Sequence, residues 1–156
     1  MFEKSSVHAC DFELSSSIRQ RGFCAKVSNA GNIHEVFYHP RRGIGQSVIG
    51  NYPGVTSIAV FFNNDDNYRV VIVATNAGEV HELFYHPEKG RGTSVIGHFE
   101  GIVAISGTFL TKTQDRCVLV LLQDGQLRQI VYHPKRGKRQ SQIGNVDAKR
   151  HFNRLR

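Results

Sequence analysis

The stretch VHELFYHPEKGRGTSVIG, Val80 to Gly97, ends an apolar run in Tyr85-His86-Pro87 and passes into a basic, glycine-rich turn. The same pattern occurs as IHEVFYHPRRGIGQSVIG from Ile33 to Gly50 and as LRQIVYHPKRGKRQSQIG from Leu127 to Gly144. The glycines that open the copies, Gly31, Gly78 and Gly125, are spaced by 47 residues both times. Over 20 positions from those glycines the first two copies share 13 identities and the last two share 8. A period of this size marks a tandem array, in which each unit stacks on its neighbours to bury a shared core.

The best-preserved unit, Val55 to Gly101, reads as four strands. VTSIAVFF (Val55 to Phe62), YRVVIVAT (Tyr68 to Thr75), EVHELFYH (Glu79 to His86) and TSVIG are separated by NNDDN, NAG and PEKGRG, the residue types that turns require. The second strand is apolar on consecutive positions, at Val70-Val71-Ile72-Val73-Ala74 and again at Cys117 to Leu122, so both of its faces should be buried. A strand in the middle of a blade, sandwiched by neighbouring blades, meets that demand. The first strand carries small residues, Ala59 and Ser106-Gly107, as a crowded inner edge would need, and Pro40, Pro87 and Pro134 should end the third. The expected fold is therefore all-β, a β-propeller of three four-stranded blades, spanning about 7–50, 55–97 and 102–144, with a basic tail at 145–156 in one domain of 1–156. The alternative is a β-trefoil, whose strands mostly alternate between core and exterior. Three blades do not close a ring, since propellers have roughly four to eight. Two chains about a two-fold axis would give six, so a homodimer is expected.

Composition fits an ordinary soluble domain, with 40% apolar and 21% charged residues. No apolar run approaches the ~20 residues of a membrane span, and MFEKSSVHAC lacks the apolar core of a signal peptide, so no membrane span and a cytosolic or leaderless location are expected. Cys10, Cys24 and Cys117 form no CxxC pair and are odd in number, which reads as reduced thiols packed in apolar segments.

The net charge of +7 is localised. Arg41, Arg42, Lys89, Arg91, Lys135, Arg136, Lys138 and Arg139 follow the Tyr-His-Pro copies, and with the tail they hold 12 bases against 2 acids, leaving the rest of the chain at −3. If rotation about an axis brings the copies to one rim, these bases concentrate a field able to attract anions or acidic partners. The aromatic interleaving of a single-strand nucleic-acid platform is absent from the turns, which argues against nucleic acid.

The unit IAVFFNNDDNYRVVIVATNAGEVHELFYHP resembles the blades of tectonin-like and fucose-lectin-like bacterial β-propellers, and the likeness spans all three repeats, the first being degenerate at CDFELSSSIRQRGFCAKV. The resemblance implies a carbohydrate-binding module. Lectins of that group commonly stack sugars on Trp beside Arg and Glu, and this chain has no Trp. Its repeated aromatic and polar pairs are Glu35 with Tyr38, Glu82 with Tyr85 and Gln129 with Tyr132, joined by His39, His86 and His133. An aromatic face packs on sugar C–H groups while acceptors fix hydroxyls. The same tyrosines would equally serve blade packing, and the histidines strand-end hydrogen bonding. Equivalent positions of a ring lie too far apart to share one metal ion, whose ligands sit within ~2.1 Å. No P-loop, HExxH, GxSxG or CxxC is present, so no catalytic residue, cofactor or metal is expected. The expected function is non-enzymatic glycan binding, with a protein-interaction scaffold reading acidic partners as the alternative.

Overall fold

The computed structural model describes residues 8–13, 21–39, 43–63, 68–86, 88–110, 113, 115–133 and 135–146. It is all-β, and the described residues contain no helix. Twelve strands follow in chain order: β1 (His8–Glu13), β2 (Arg21–Val27), β3 (Asn32–His39), β4 (Gly43–Asn51), β5 (Val55–Asn63), β6 (Tyr68–Thr75), β7 (Glu79–His86), β8 (Gly90–His98), β9 (Ile102–Leu110), β10 (Asp115–Leu122), β11 (Gln126–His133) and β12 (Gly137–Asn145). Each repeat makes its own four-stranded antiparallel sheet in chain order, and no ladder among the described residues joins two repeats. A trefoil needs such ladders to close its barrel.

The first strands of the three sheets lie beside one another, β1 against β5 and β5 against β9. Small residues permit that approach. A Cβ on Gly107 of β9 would stand 2.8 Å from Phe61 Cδ1 of β5, and Ser57 of β5 accepts a hydrogen bond from the Ile105 amide at 3.2 Å. The glycine opening each repeat is required for two reasons. Gly31, Gly78 and Gly125 have φ of 80°, 85° and 84°, a region that residues bearing a Cβ rarely enter. A Cβ at these positions would also collide with the carbonyl oxygens of Tyr52, Phe99 and Val146, whose amides donate to the three glycine carbonyls and tie each third strand to the chain that leaves the fourth.

The strand β6 behaves as its sequence demands. Val70, Ile72 and Ala74 face a core shared with the third sheet, including Val118, Val120 and Ile130. Val71 and Val73 face another shared with the first sheet, including Ala25, Val27 and Ile33. In β10 only half of the expectation is met. Val118 and Val120 are buried against the second sheet, while Leu119 and Leu121, which point the other way, are only half-buried because no fourth sheet covers them.

Two local readings change. The fourth strands begin at Gly43, Gly90 and Gly137, earlier than the TSVIG segment, because a glycine at φ 76–77° turns the chain at once after the basic residues. Arg91, Lys138 and Arg139 are therefore strand residues and not turn residues. Pro40, Pro87 and Pro134, Arg41, Arg42, Asp65, Asp66 and the tail beyond Val146 lie outside the described residues. The cysteine reading is corrected more sharply, since Cys24 is disulfide-bonded and only Cys117 is free among the described residues. Cys24 lies directly opposite Cys10 in the β1–β2 ladder. Counting cysteines hid this, since an odd total does not prevent strand register from setting two cysteine positions side by side.

One cross-strand device recurs and then changes. Phe37 faces Gly45 and Phe84 faces Gly92, and each ring occupies the space a Cβ on that glycine would need. In the third sheet the pair is Val131 with Arg139, both members altered together. Gly92→Ala should cost about 1 to 3 kcal/mol, the usual range for overpacking, and adding Phe84→Val should recover part of it. Denaturant midpoints of the two single variants and the double check this; strictly additive losses contradict the coupling.

Candidate functional site

Side chains alternate along a strand, so Ile33, Glu35 and Phe37 of β3 point together toward the second sheet. Glu35 is thereby carried to the outer end of an otherwise apolar interface and is 2% exposed. A carboxylate in such a place needs partners, and the second sheet supplies them. Arg69 of β6 donates from Nε to Oε2 at 3.3 Å and from Nη2 to Oε1 at 3.2 Å. Arg91 of β8 donates to Oε1 at 3.4 Å and to Ser47 Oγ at 3.3 Å, and Ser47 itself donates to Oε1 at 3.0 Å. The Arg69 guanidinium lies between two rings, 4.9 Å from the centroid of Phe37 and 4.4 Å from that of Tyr85. Beside the cluster, between Arg69, Arg91 and Tyr85, is a cavity of about 30 Å³, room for one or two waters.

The arrangement repeats one period later. Arg116 of β10 reaches Glu82 of β7 at 3.2 Å and stacks 4.1 Å from the centroid of Tyr132. Burial pushes the Glu82 carboxyl above its ordinary value, and Arg116 draws it part of the way back. In the β-ladders the arginines and tyrosines are directly opposed, Arg69 with Tyr85 and Arg116 with Tyr132. The first member of this series is Gly22 with Tyr38. The acid series likewise ends in Gln129, on the face of the third sheet that no other sheet covers. The two missing members thus stand at opposite ends of the molecule, one on each terminal sheet.

The residues that the sequence singled out divide among three environments. Glu35 and Glu82 hold arginines inside the interfaces, and Tyr85 and Tyr132 give a ring face to those arginines. Tyr38 is 47% exposed and its opposite residue has no side chain. Gln129 is half-buried, and His39 ends β3. His86 and His133 are turned into their own loops. The amides of Glu88 and Lys89 donate to His86 Nδ1 at 3.1 and 3.2 Å, and those of Lys135 and Arg136 donate to His133 Nδ1 at 3.0 and 3.1 Å. Each ring thereby fixes the backbone of the turn beside it, Glu88 and Lys89 in one and Lys135 and Arg136 in the other. Lys89, Lys135 and Arg136 are exposed at these turns. Arg91 turns into the first interface, whereas Lys138 and Arg139 alternate along β12 and point to opposite faces. Among the described residues no group of three His, Cys, Asp or Glu side chains converges.

Sequence reading passed over Arg69 and Arg116, the centres of both clusters. The signal was present, since both stand at one phase of the repeat and immediately precede the continuous apolar runs Val70 to Ala74 and Cys117 to Leu122. No protein-family model matches the chain, and no curated protein matches it significantly.

Removing one partner of a buried pair strands the other charge. Arg116→Ala should therefore destabilise the protein by roughly 3 to 5 kcal/mol at neutral pH. Glu82 already titrates above its ordinary value, and loss of Arg116 raises it further. A carboxyl whose folded-state value lies above its unfolded one penalises the fold at neutral pH, and that penalty disappears as pH falls through the folded value. The stability gap between Arg116→Ala and the parent should accordingly narrow on acidification toward pH ~4. A gap that widens, measured by denaturation across that range, contradicts the assignment.

Proposed function

We propose that the chain is a non-enzymatic, lectin-like carbohydrate-binding module, and that its three sheets are half of a six-bladed β-propeller completed by a second copy. The observation that carries this reading is the repeated convergence of a tyrosine ring and a carboxylate on one arginine at the outer end of an interface, Tyr85 and Glu35 on Arg69, then Tyr132 and Glu82 on Arg116. Such an end offers a ring for sugar C–H groups and fixed acceptors for hydroxyls. Tyr38 is the member of the series whose ring stands opposite no arginine, and this makes it the position of choice for a ligand. Sites repeated around a ring would act together through avidity on a multivalent glycan. The disulfide at Cys24 favours an oxidising environment over a reducing cytosol.

A second reading has its own support. His86 and His133 hold Lys89, Lys135 and Arg136 in ordered turns, and ordered bases lose less entropy on meeting an acidic partner than mobile ones. The two readings part on one experiment. A glycan array probed with purified protein should give a saturable signal that survives changing Lys89, Lys135 and Arg136 to Ser. An interaction scaffold would give no saturable sugar signal, and the same changes would abolish its retention on heparin.

A further inference from the structure

Both ends of the molecule carry faces shaped like the interfaces inside it. Val36 on the outward face of the first sheet is 38% exposed, while Leu83 and Ile130, its equivalents one and two periods on, are 5% and 2% exposed because a preceding sheet covers them. Around Val36 on that face stand Tyr38, Ile44 and Val48, also exposed. The third sheet shows the converse, since Ile143 is 49% exposed where its equivalent Ile96 is 8% exposed under the next sheet. Each face lacks a neighbour of the kind the other end would supply.

The charges agree with that pairing. Inside the chain every such interface joins a glutamate of one sheet to an arginine of the next, Glu35 to Arg69 and Glu82 to Arg116. At the two free ends both members are replaced together, Glu by Gln129 and Arg by Gly22. Had only one been replaced, contact between the ends would bury an unpaired charge, at a cost of several kcal/mol. A contact repeated twice about a two-fold axis closes on itself. Two copies supply six sheets, within the range of roughly four to eight that propellers use, whereas one copy supplies too few and three too many. Lys26 stands on the outward face of the first sheet where Val73 and Val120 stand in the others. It makes this seam weaker than the internal interfaces, so the association depends on concentration.

Resting on the carbohydrate reading above, we propose that the sugar-binding sites lie at these two seams, each formed only when the third sheet of one chain meets the first sheet of a second copy. In the internal interfaces the arginine guanidinium fills the space between the rings and the carboxylate. At a seam, Gly22 of the partner subunit leaves that space empty. Its walls are the ring of the partner subunit's Tyr38, the amide of Gln129 and the Ser141 hydroxyl, with exposed Arg139 on the same face of the third sheet. A ring face, an amide, a hydroxyl and a guanidinium donor around a slot one side chain in size suit a saccharide ring rich in hydroxyls. The internal clusters are filled by their own ion pairs and serve as braces.

Light scattering at micromolar concentration and a printed array of neutral and sulfated oligosaccharides test this together. The parent protein should have twice the 17.5 kDa chain mass and give a saturable signal. Val36→Asp should yield a folded monomer that has lost at least tenfold in glycan affinity. Gly22→Arg with Gln129→Glu, which restores the pair and fills the slot, should remain dimeric and lose the signal. If that variant fails to fold, Tyr38→Ala at its exposed position should keep the dimer and lose the signal. A parent that is monomeric throughout, or undiminished binding by a dimeric slot-filled variant, overturns the proposal. A dimer that Val36→Asp dissociates but that binds no glycan overturns the carbohydrate reading and leaves the seam standing.

Discussion

A sheet whose central strands are apolar on both faces cannot rest against water on either side, and this constraint organises the whole molecule. In β6 the side chains from Val70 to Ala74 are all essentially inaccessible, which requires a sheet in front and a sheet behind. The 47-residue repeat answers that need by supplying sheets in series. Because no ladder among the described residues joins strands of different repeats, the sheets meet chiefly through their side chains. The apolar clusters provide the bulk of that adhesion, being roughly proportional to the area removed from water. Such adhesion has no direction, and two apolar faces can slide.

Direction comes from the glutamate and arginine pairs at the outer end of each interface. Arg69 contacts both oxygens of Glu35, and the rings of Phe37 and Tyr85 bound its guanidinium. A planar fork held this way accepts one register between sheets and rejects its neighbours. Placing the pair at the outer end, with Arg91 reaching solvent, limits the desolvation that a fully enclosed pair would suffer. The tyrosines that look from the sequence like ligand platforms are in two repeats the walls of this clamp. In the first repeat the clamp is missing its arginine and the wall is left bare.

Much of the fold was legible in the sequence because it is written three times. The strands β6 and β7 begin and end where the alternation of apolar runs and turn residues puts them, and the small residues of β9 do face a crowded neighbour. The site was less legible, for a physical reason. Glu35 and Glu82 repeat with their tyrosines only three residues away and so draw the eye, whereas their true partners, Arg69 and Arg116, are 34 residues distant and belong to the next sheet. Proximity in sequence marked the wall and hid the occupant. The fourth strands run longer than the sequence suggests because Gly90 and its equivalents have the look of loop residues, although one residue at positive φ completes the reversal. The disulfide at Cys24 was invisible to counting, since it depends on the β1–β2 register within the most degenerate stretch of the repeat.

The sealing of β6 on both sides gives the chain a gradient of protection against opening. Backbone amides of β6 are covered by a sheet on either side, so solvent hydrogen reaches them only when the second repeat itself comes apart. Within one chain the terminal sheets have one covered face each and can loosen separately. The middle repeat is therefore the last part of the molecule to exchange its amide hydrogens and the scaffold on which both flanking repeats are held.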